Sequence, residues 1–160
     1  MKARWLYFLT VIVLVVALTV SLRLNANHPP SGIFQSKEGI LSAAKEFFPQ
    51  ARFFVLPESP AEWGTILDRD KKPIGKLLLT KPFVEEQGYG GPVHLFVAAG
   101  LDERIVGVMP IDHAETPDVM NFLNANKFFY LWNGDSAAEA VSQKVDAVSG
   151  ATETTDAVIK

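Results

Sequence analysis

The side chains best suited to chemistry lie near the C-terminal end, where residues 146–152 are Asp-Ala-Val-Ser-Gly-Ala-Thr. Two hydroxyl residues flank a Gly-Ala pair, and small residues let another molecule approach the backbone closely. A pattern typical of a helix follows at 154–159, and the N-terminus of a helix offers unpaired N–H groups to an anion. The segment therefore predicts an anion-binding loop, with a simpler alternative in which Ser149 or Thr152 only caps the terminal helix.

Two earlier segments combine glycine, proline and polar residues beside predicted strands. Residues 88–92 are Gly-Tyr-Gly-Gly-Pro and precede one strand, and residues 113–117 are His-Ala-Glu-Thr-Pro and follow the next. The first could be only a turn whose glycines supply positive φ. The second could be only a helix start with proline in its first turn. Each segment therefore has a structural explanation beside any functional one.

Taken together, the three segments resemble, in order and separation, the signatures of the FMN-binding domain family. That family includes the flavin subunits of Rnf-type and sodium-pumping NADH:quinone oxidoreductase complexes. The resemblance covers about residues 37–160. It implies covalent FMN, held by a phosphoester to Thr152, the last threonine of the motif. It also implies that a separate Mg-dependent flavin transferase, with FAD as donor, loads the cofactor, and that Asp146 is a recognition or activation element for this enzyme.

The same resemblance implies a cofactor site without catalytic or metal-ligating side chains of its own. Glycines beside the ring would admit the flavin, Glu115 and Thr116 would bond the polar edges of the isoalloxazine or the ribityl chain, and Ser149 would bond the phosphate or the loop. The candidate cofactor-binding residues are Tyr89, Gly90, Gly91, Glu115, Thr116, Asp146, Ser149, Gly150, Ala151 and Thr152.

Composition narrows the classes of function. The 160 residues carry a net charge of -3, which does not suggest a nucleic-acid partner. The chain has no Cys, which excludes disulfides, thiolate-held iron–sulfur clusters, thioether-attached haem and cysteine nucleophiles within it. Any electrons carried here must therefore reside on an added organic cofactor.

An apolar segment near the N-terminus predicts attachment to a membrane. Residues 5–22 carry no charge, and as a helix they would span about 27 Å, close to the hydrocarbon thickness of a bilayer. We expect a cytoplasmic N-terminus at 1–4, a transmembrane anchor at 5–24, a linker at 25–36 and the domain at 37–160. Lys2 and Arg4 favour a cytoplasmic N-terminus, with the domain on the periplasmic or extracellular side. The alternative is a cleaved signal peptide.

Hydrophobic periodicity predicts the elements of the domain. Apolar positions at helical spacing predict a helix at 37–48, ended by Pro49. Strands are expected at 51–56, 63–67, 74–80, 93–99 and 105–111, the second and third forming a hairpin. After a loop at 112–118 come a helix at 119–125, a short apolar segment at 128–132 and a helix at 136–143. The apolar segment is expected in the core, and a partner interface for electron transfer is the alternative. The fold class is α+β, with a small, mainly antiparallel sheet and flanking helices.

The expected function is that of a membrane-anchored electron-transfer flavoprotein. By resemblance, its partners are other subunits of an Rnf- or Nqr-like electron-transport complex and the flavin transferase. The chain has no glycine-rich strand–turn–helix for a nicotinamide and no acid–base pair, so an electron-carrier subunit is expected rather than a stand-alone enzyme. The alternatives are a reductase that binds FMN reversibly and a non-redox flavin-binding or interaction module.

Overall fold

In the computed structural model, which describes residues 36–81 and 87–159, five strands form one antiparallel sheet in the order β1-β2-β3-β4-β5. Each strand pairs with the next along the chain, so short connections suffice. The elements are α1 (Lys37–Phe47), β1 (Phe53–Val55), β2 (Gly64–Leu67), β3 (Pro73–Leu79), β4 (Val93–Ala99), β5 (Ile105–His113), α2 (Pro117–Ala125), a 3-10 helix (Phe128–Tyr130), α3 (Ala137–Ser142) and α4 (Thr152–Ile159).

Local chemistry explains where three of the helices begin. The Ser36 side chain accepts a hydrogen bond of 3.1 Å from the backbone N–H of Gly39, which caps α1. Pro117 occupies the first turn of α2, where its missing N–H costs nothing. Ser136 and Glu139 form a reciprocal capping box at the start of α3. Each of these helices therefore begins at residue types that are typical of helix N-termini.

Strand β4 is buried on both of its faces. Val93 and Leu95 pack in one cluster with α2, the 3-10 helix and Ala151. Phe96 and Ala98, which point to the opposite face, pack in a second cluster with α1 and the neighbouring strands. Because successive side chains of a strand alternate between faces, one strand contributes to both cores. The helices accordingly lie on the two faces of the sheet.

Glycines in two strands admit the aromatic side chains at the end of α1. A Cβ at Gly107 in β5 would overlap the ring of Phe47, and a Cβ at Gly75 in β3 would overlap the ring of Phe48. The Phe47 ring also stacks on Phe96, with centroids 6.2 Å apart. The missing side chains let α1 lie close against the sheet.

The α+β prediction with an antiparallel sheet is confirmed, and so is the hairpin of β2 and β3. Several boundaries differ from expectation, and β1 (Phe53–Val55) is shorter than the predicted 51–56. Strand β5 continues to His113, α2 begins at Pro117, and α4 begins at Thr152 rather than two residues later. In the 128–132 segment, Phe128, Phe129 and Trp132 are core residues as predicted, but Tyr130 is 64% exposed and Leu131 is 44% exposed.

The expected membrane anchor at 5–24 lies outside the described residues. Within residues 36–81 and 87–159, no helix has the length and apolar character that crossing a bilayer requires.

His94 lies at a bulge in β4, opposite Asp112 of β5, and is buried. Its Nδ1 makes no hydrogen bond to any described residue. Burial lowers the pKa of His94 below the ordinary value of 6.5, and the nearby Lys81 ammonium lowers it further, while Asp112 partly opposes the shift. The fold therefore favours the neutral imidazole.

A pH dependence of stability follows from this depressed pKa. Below about pH 6.5 the unfolded chain takes up a proton at this position more readily than the folded chain, so the free energy of unfolding should fall as pH decreases. Urea denaturation of the full chain in mild detergent at about pH 7.5 and about pH 5.5 measures this loss. His94→Gln should show a smaller loss over the same interval, and equal losses in both proteins would contradict the assignment.

Candidate functional site

The pairing of β4 with β5 brings two of the sequence motifs side by side. Val93, the first residue of β4, pairs with His113, the last residue of β5. The 88–92 segment enters β4, and the 113–117 segment leaves β5, so both lie at the same end of the sheet. The first segment is a tight turn in which Gly88 N–H donates to the Gly91 carbonyl at 2.8 Å.

Close backbone contact joins these two segments. A Cβ at Gly90 would overlap the carbonyl group of Ala114 and would lie 3.0 Å from the backbone nitrogen of Glu115. Gly91 adopts a φ of 143°, a conformation that favours glycine. The structure thus explains two of the three glycines in this segment. Gly90 is required by the contact with Ala114, and Gly91 by its backbone conformation.

Helix α4, which starts at the last residue of the C-terminal motif, contacts the first of these segments. A Cβ at Gly88 would overlap Oε1 of Glu115 and would lie 3.3 Å from Cα of Thr154 in α4. Gly150 has a φ of 95°, and a Cβ there would lie 3.7 Å from the ring of Phe122 in α2. The 88–92 turn therefore lies against both the 113–117 segment and α4, the helix that starts at the last residue of the C-terminal motif.

Comparison with known proteins shows which protein family this part of the chain matches. Residues 88–160, which contain all three segments, match the model of the FMN-binding domain. This segment belongs to the FMN-binding domain family. The chain is also similar to a subunit of the ion-translocating oxidoreductase complex of Stutzerimonas stutzeri, with 28% identity over 137 residues. That alignment covers 75% of this chain, and the chain spans about 60% of the relative's length.

Within the FMN-binding domain, the hydroxyl residues of the C-terminal motif differ sharply in accessibility. Ser149 and Thr152 are exposed, whereas Thr154 and Thr155 are fully buried. Helix α4 begins at Thr152, so the residue in the capping position is Ala151. Among the described residues, neither exposed hydroxyl makes a hydrogen bond. The alternative in which Ser149 or Thr152 serves only as a helix cap therefore finds no support in the geometry.

The predicted flavin contacts divide into exposed and buried residues. Tyr89 is 71% exposed, and Thr116 is exposed at the residue before α2, where its side chain makes no capping hydrogen bond. Asp146 is also exposed and lines a surface depression of about 330 Å³ with Lys144 and Asn126. Glu115, by contrast, is only 6% exposed. A ligand could reach Tyr89 and Thr116 directly but not Glu115.

Glu115 and Thr154 are buried polar residues whose side-chain oxygens have no hydrogen-bond partner among the described residues. Both approach the same glycine, Gly88. Burying such groups without hydrogen bonds costs free energy. The sequence predicted Glu115 as a site residue but gave no sign of its burial, and it missed Gly88, Thr154, Thr155 and Phe122. The sequence signal that could have identified the threonines is the run Thr152-Glu-Thr-Thr155, because a threonine in a helix often donates a hydrogen bond to a carbonyl one turn earlier.

The accessible residues fit the phosphate end of FMN. Thr152 is the first residue of α4, and the first-turn N–H groups of a helix have no intrahelical partner. A phosphate on the Thr152 hydroxyl would lie at this positive end of the helix, where an anion gains roughly 0.3–1 kcal/mol. Gly150 and Ala151 present little side chain next to it.

Substituting Gly90 tests the contact between the first two segments. In Gly90→Ala the new methyl group meets backbone atoms of Ala114, which cannot rotate away. We expect the free energy of unfolding to fall by about 1–3 kcal/mol, the usual range for forced overpacking. Urea denaturation measures the change.

The control is Tyr89→Ala at the adjacent, exposed position, whose effect should stay within about 0.5 kcal/mol. A Gly90→Ala protein as stable as the Tyr89→Ala protein would show that the two segments are not in contact.

Proposed function

We propose that this chain is a membrane-anchored electron carrier that holds FMN covalently, through a phosphoester to Thr152. The observation that best supports the proposal is the accessibility of the Thr152 hydroxyl. It is exposed and has no hydrogen-bond partner among the described residues, and it stands at the start of α4, the helix that contacts the 88–92 turn. The membership of residues 88–160 in the FMN-binding domain family supplies the cofactor.

Attachment requires a co-reactant and an enzyme, which are FAD and a flavin transferase. A bond forms between Thr152 Oγ1 and the FMN phosphorus, the pyrophosphate bond of FAD breaks, AMP leaves, and the hydroxyl loses its proton. Threonine is a weak nucleophile, so the transferase must supply the base or the metal that activates it. Exposed Asp146 offers a recognition contact, and Ser149, Gly150 and Ala151 leave room for the enzyme and the phosphate.

The ring end of the flavin would lie against the first two segments. Tyr89 offers an exposed aromatic face, and the Thr116 hydroxyl is free to bond a polar edge of the ring or the ribityl chain. Gly90 and Gly91 keep side chains out of this space. Glu115 would join the contacts only if the 88–92 turn moved, because that turn covers its carboxylate.

When bound, FMN supplies the capacity to accept and pass on electrons, and the protein sets its position and polarity. Similarity to a subunit of an ion-translocating oxidoreductase complex favours a carrier that works between partner subunits. A covalent bond would retain the cofactor outside the cytoplasm. We accordingly assign residues 1–4 to the cytoplasm, 5–24 to the anchor, 25–36 to a linker and 37–160 to a domain on the outer side of the membrane.

Removing the Thr152 hydroxyl tests the attachment. Produced together with a flavin transferase, the full chain should gain the mass of FMN less one water, and its flavin fluorescence should survive denaturation and electrophoresis. Thr152→Ala should lose both signals completely, because the substitution removes the oxygen that forms the proposed phosphoester. Intact-mass spectrometry and in-gel fluorescence provide the two measurements.

Ser142→Ala is the matched control, since it removes an exposed hydroxyl at the end of α3, ten residues before Thr152. It should be loaded as fully as the unmodified sequence. Flavin that survives denaturation in Thr152→Ala would place the bond elsewhere, and no adduct in any protein would leave reversible binding.

The absence of Cys allows a direct test of the anchor and its orientation. Val141 is 89% exposed, so Val141→Cys should react from outside intact cells with a maleimide that cannot cross membranes. Ala3→Cys, which keeps Lys2 and Arg4, should react only after the cells are permeabilised, because the positive residues hold the N-terminus inside. Labelling of the membrane fraction is measured by mass shift, and the reverse pattern would contradict the orientation.

A further inference from the structure

The hydroxyl of Thr155 fastens the loop that carries Thr152. Thr155 Oγ1 accepts a hydrogen bond of 3.1 Å from the backbone N–H of Val148, seven residues earlier. The same hydroxyl lies 3.0 Å from the carbonyl oxygens of Ala151 and Thr152, to which it donates its single hydrogen. One buried side chain thus connects both ends of residues 148–152, and we call this set of bonds the Thr155 clasp.

We propose that Thr155 is a positioning residue for flavin attachment, and that the clasp holds the loop in the shape that presents Thr152 to the transferase. This inference rests on the proposed function, because it concerns the same site. It adds a residue that makes no contact with the flavin and acts only through the loop.

The loop needs such a fastening because its own backbone provides little. Gly150 has a φ of 95°, and glycine can leave such a conformation at low cost. Apart from the clasp, the loop is closed by the hydrogen bond of 2.9 Å from Ala151 N–H to the Val148 carbonyl. Without the Thr155 hydroxyl, the part-buried Val148 N–H would lose its partner, which favours opening of the turn.

The clasp also affects which hydroxyl group of this segment the transferase can reach. Residues 149–155 contain four hydroxyl side chains, those of Ser149, Thr152, Thr154 and Thr155. Thr155 is buried and hydrogen bonded, and Thr154 is buried beneath the 88–92 turn. The hydrogen bond from the Thr155 hydroxyl to the Thr152 carbonyl holds the first turn of α4, and in that turn the Thr152 side chain is exposed.

Exchange of Thr155 for valine tests the proposal, since valine keeps the shape and removes the hydroxyl. The measurement is the rate at which purified flavin transferase, with FAD and Mg²⁺, loads the full chain in detergent. In Thr155→Val the loop should hold the conformation that the transferase recognises for only part of the time. We therefore expect KM to rise about tenfold, roughly the effect of losing one net hydrogen bond. The value of kcat should stay within about twofold, because the attacking hydroxyl is unchanged.

Two variants separate positioning from general destabilisation. Thr155→Ser keeps the hydroxyl and should restore a KM near that of the unmodified sequence. Thr80→Val makes the same exchange at a hydroxyl that also accepts a backbone hydrogen bond, of 2.8 Å from Leu95 N–H, but lies away from the motif loop. It should leave KM unchanged. An unchanged KM in Thr155→Val, or a KM raised equally in Thr80→Val, would overturn the proposal.

Hydrogen exchange tests the clasp even if Thr155→Val fails to fold. In the unmodified sequence, the Val148 amide should exchange more slowly than the amides of the exposed Ser149 and Gly150. Equal, unprotected exchange at all three would show that the clasp does not exist. If the unmodified chain accepted no flavin while Val148 stayed protected, the proposed function would fail and the clasp would remain only a structural feature.

Discussion

The pairing of Val93 with His113 is the constraint on which the site depends. In an antiparallel pair, the register decides which residues stand at each end of the ladder, and a shift of one residue would turn every side chain to the other face. Because β4 begins where the Gly-Tyr-Gly-Gly-Pro turn ends, and β5 ends where the His-Ala-Glu-Thr-Pro segment begins, the register sets the distance between the two. The contact of Gly90 with the Ala114 carbonyl is a direct result.

What holds that register is the burial of β4 on both faces. Phe96 and Ala98 are held under α1, while Val93 and Leu95 are held under the helices that follow β5. The second group includes Ala151, so the loop that carries Thr152 is anchored in the same core as the strand that carries the glycine turn. The Thr152 hydroxyl is exposed, but the residue before it, Ala151, is buried in the core. An exposed group can in this way have a defined position.

The sequence was most informative where local chemistry decides the structure. The helical spacing of apolar residues at 37–48, Pro49 after them and the β2–β3 hairpin made several of the elements predictable. The motifs brought together by the fold were identified in advance through their order. Sequence spacing could not show that Glu115 is buried while Thr116 is exposed, because that depends on the contact of Gly88 with two distant segments. The same holds for Thr155, whose role arises from a bond to an amide seven residues away.

The Phe47–Phe96 stack bears on which portion of this chain could be inherited or transplanted as a unit. Phe96 lies in the segment that matches the family, but its covering ring comes from α1, which lies before that segment. The face of β4 that carries Phe96, together with Ile111 of β5, packs against α1 and other residues that precede position 88. Strand β3, which also precedes that position, forms hydrogen bonds with one edge of β4. A recipient protein given residues 88–160 alone would receive a bare hydrophobic face and an open strand edge, both of which promote aggregation. The smallest portable unit therefore begins at α1, some fifty residues before the first flavin signature.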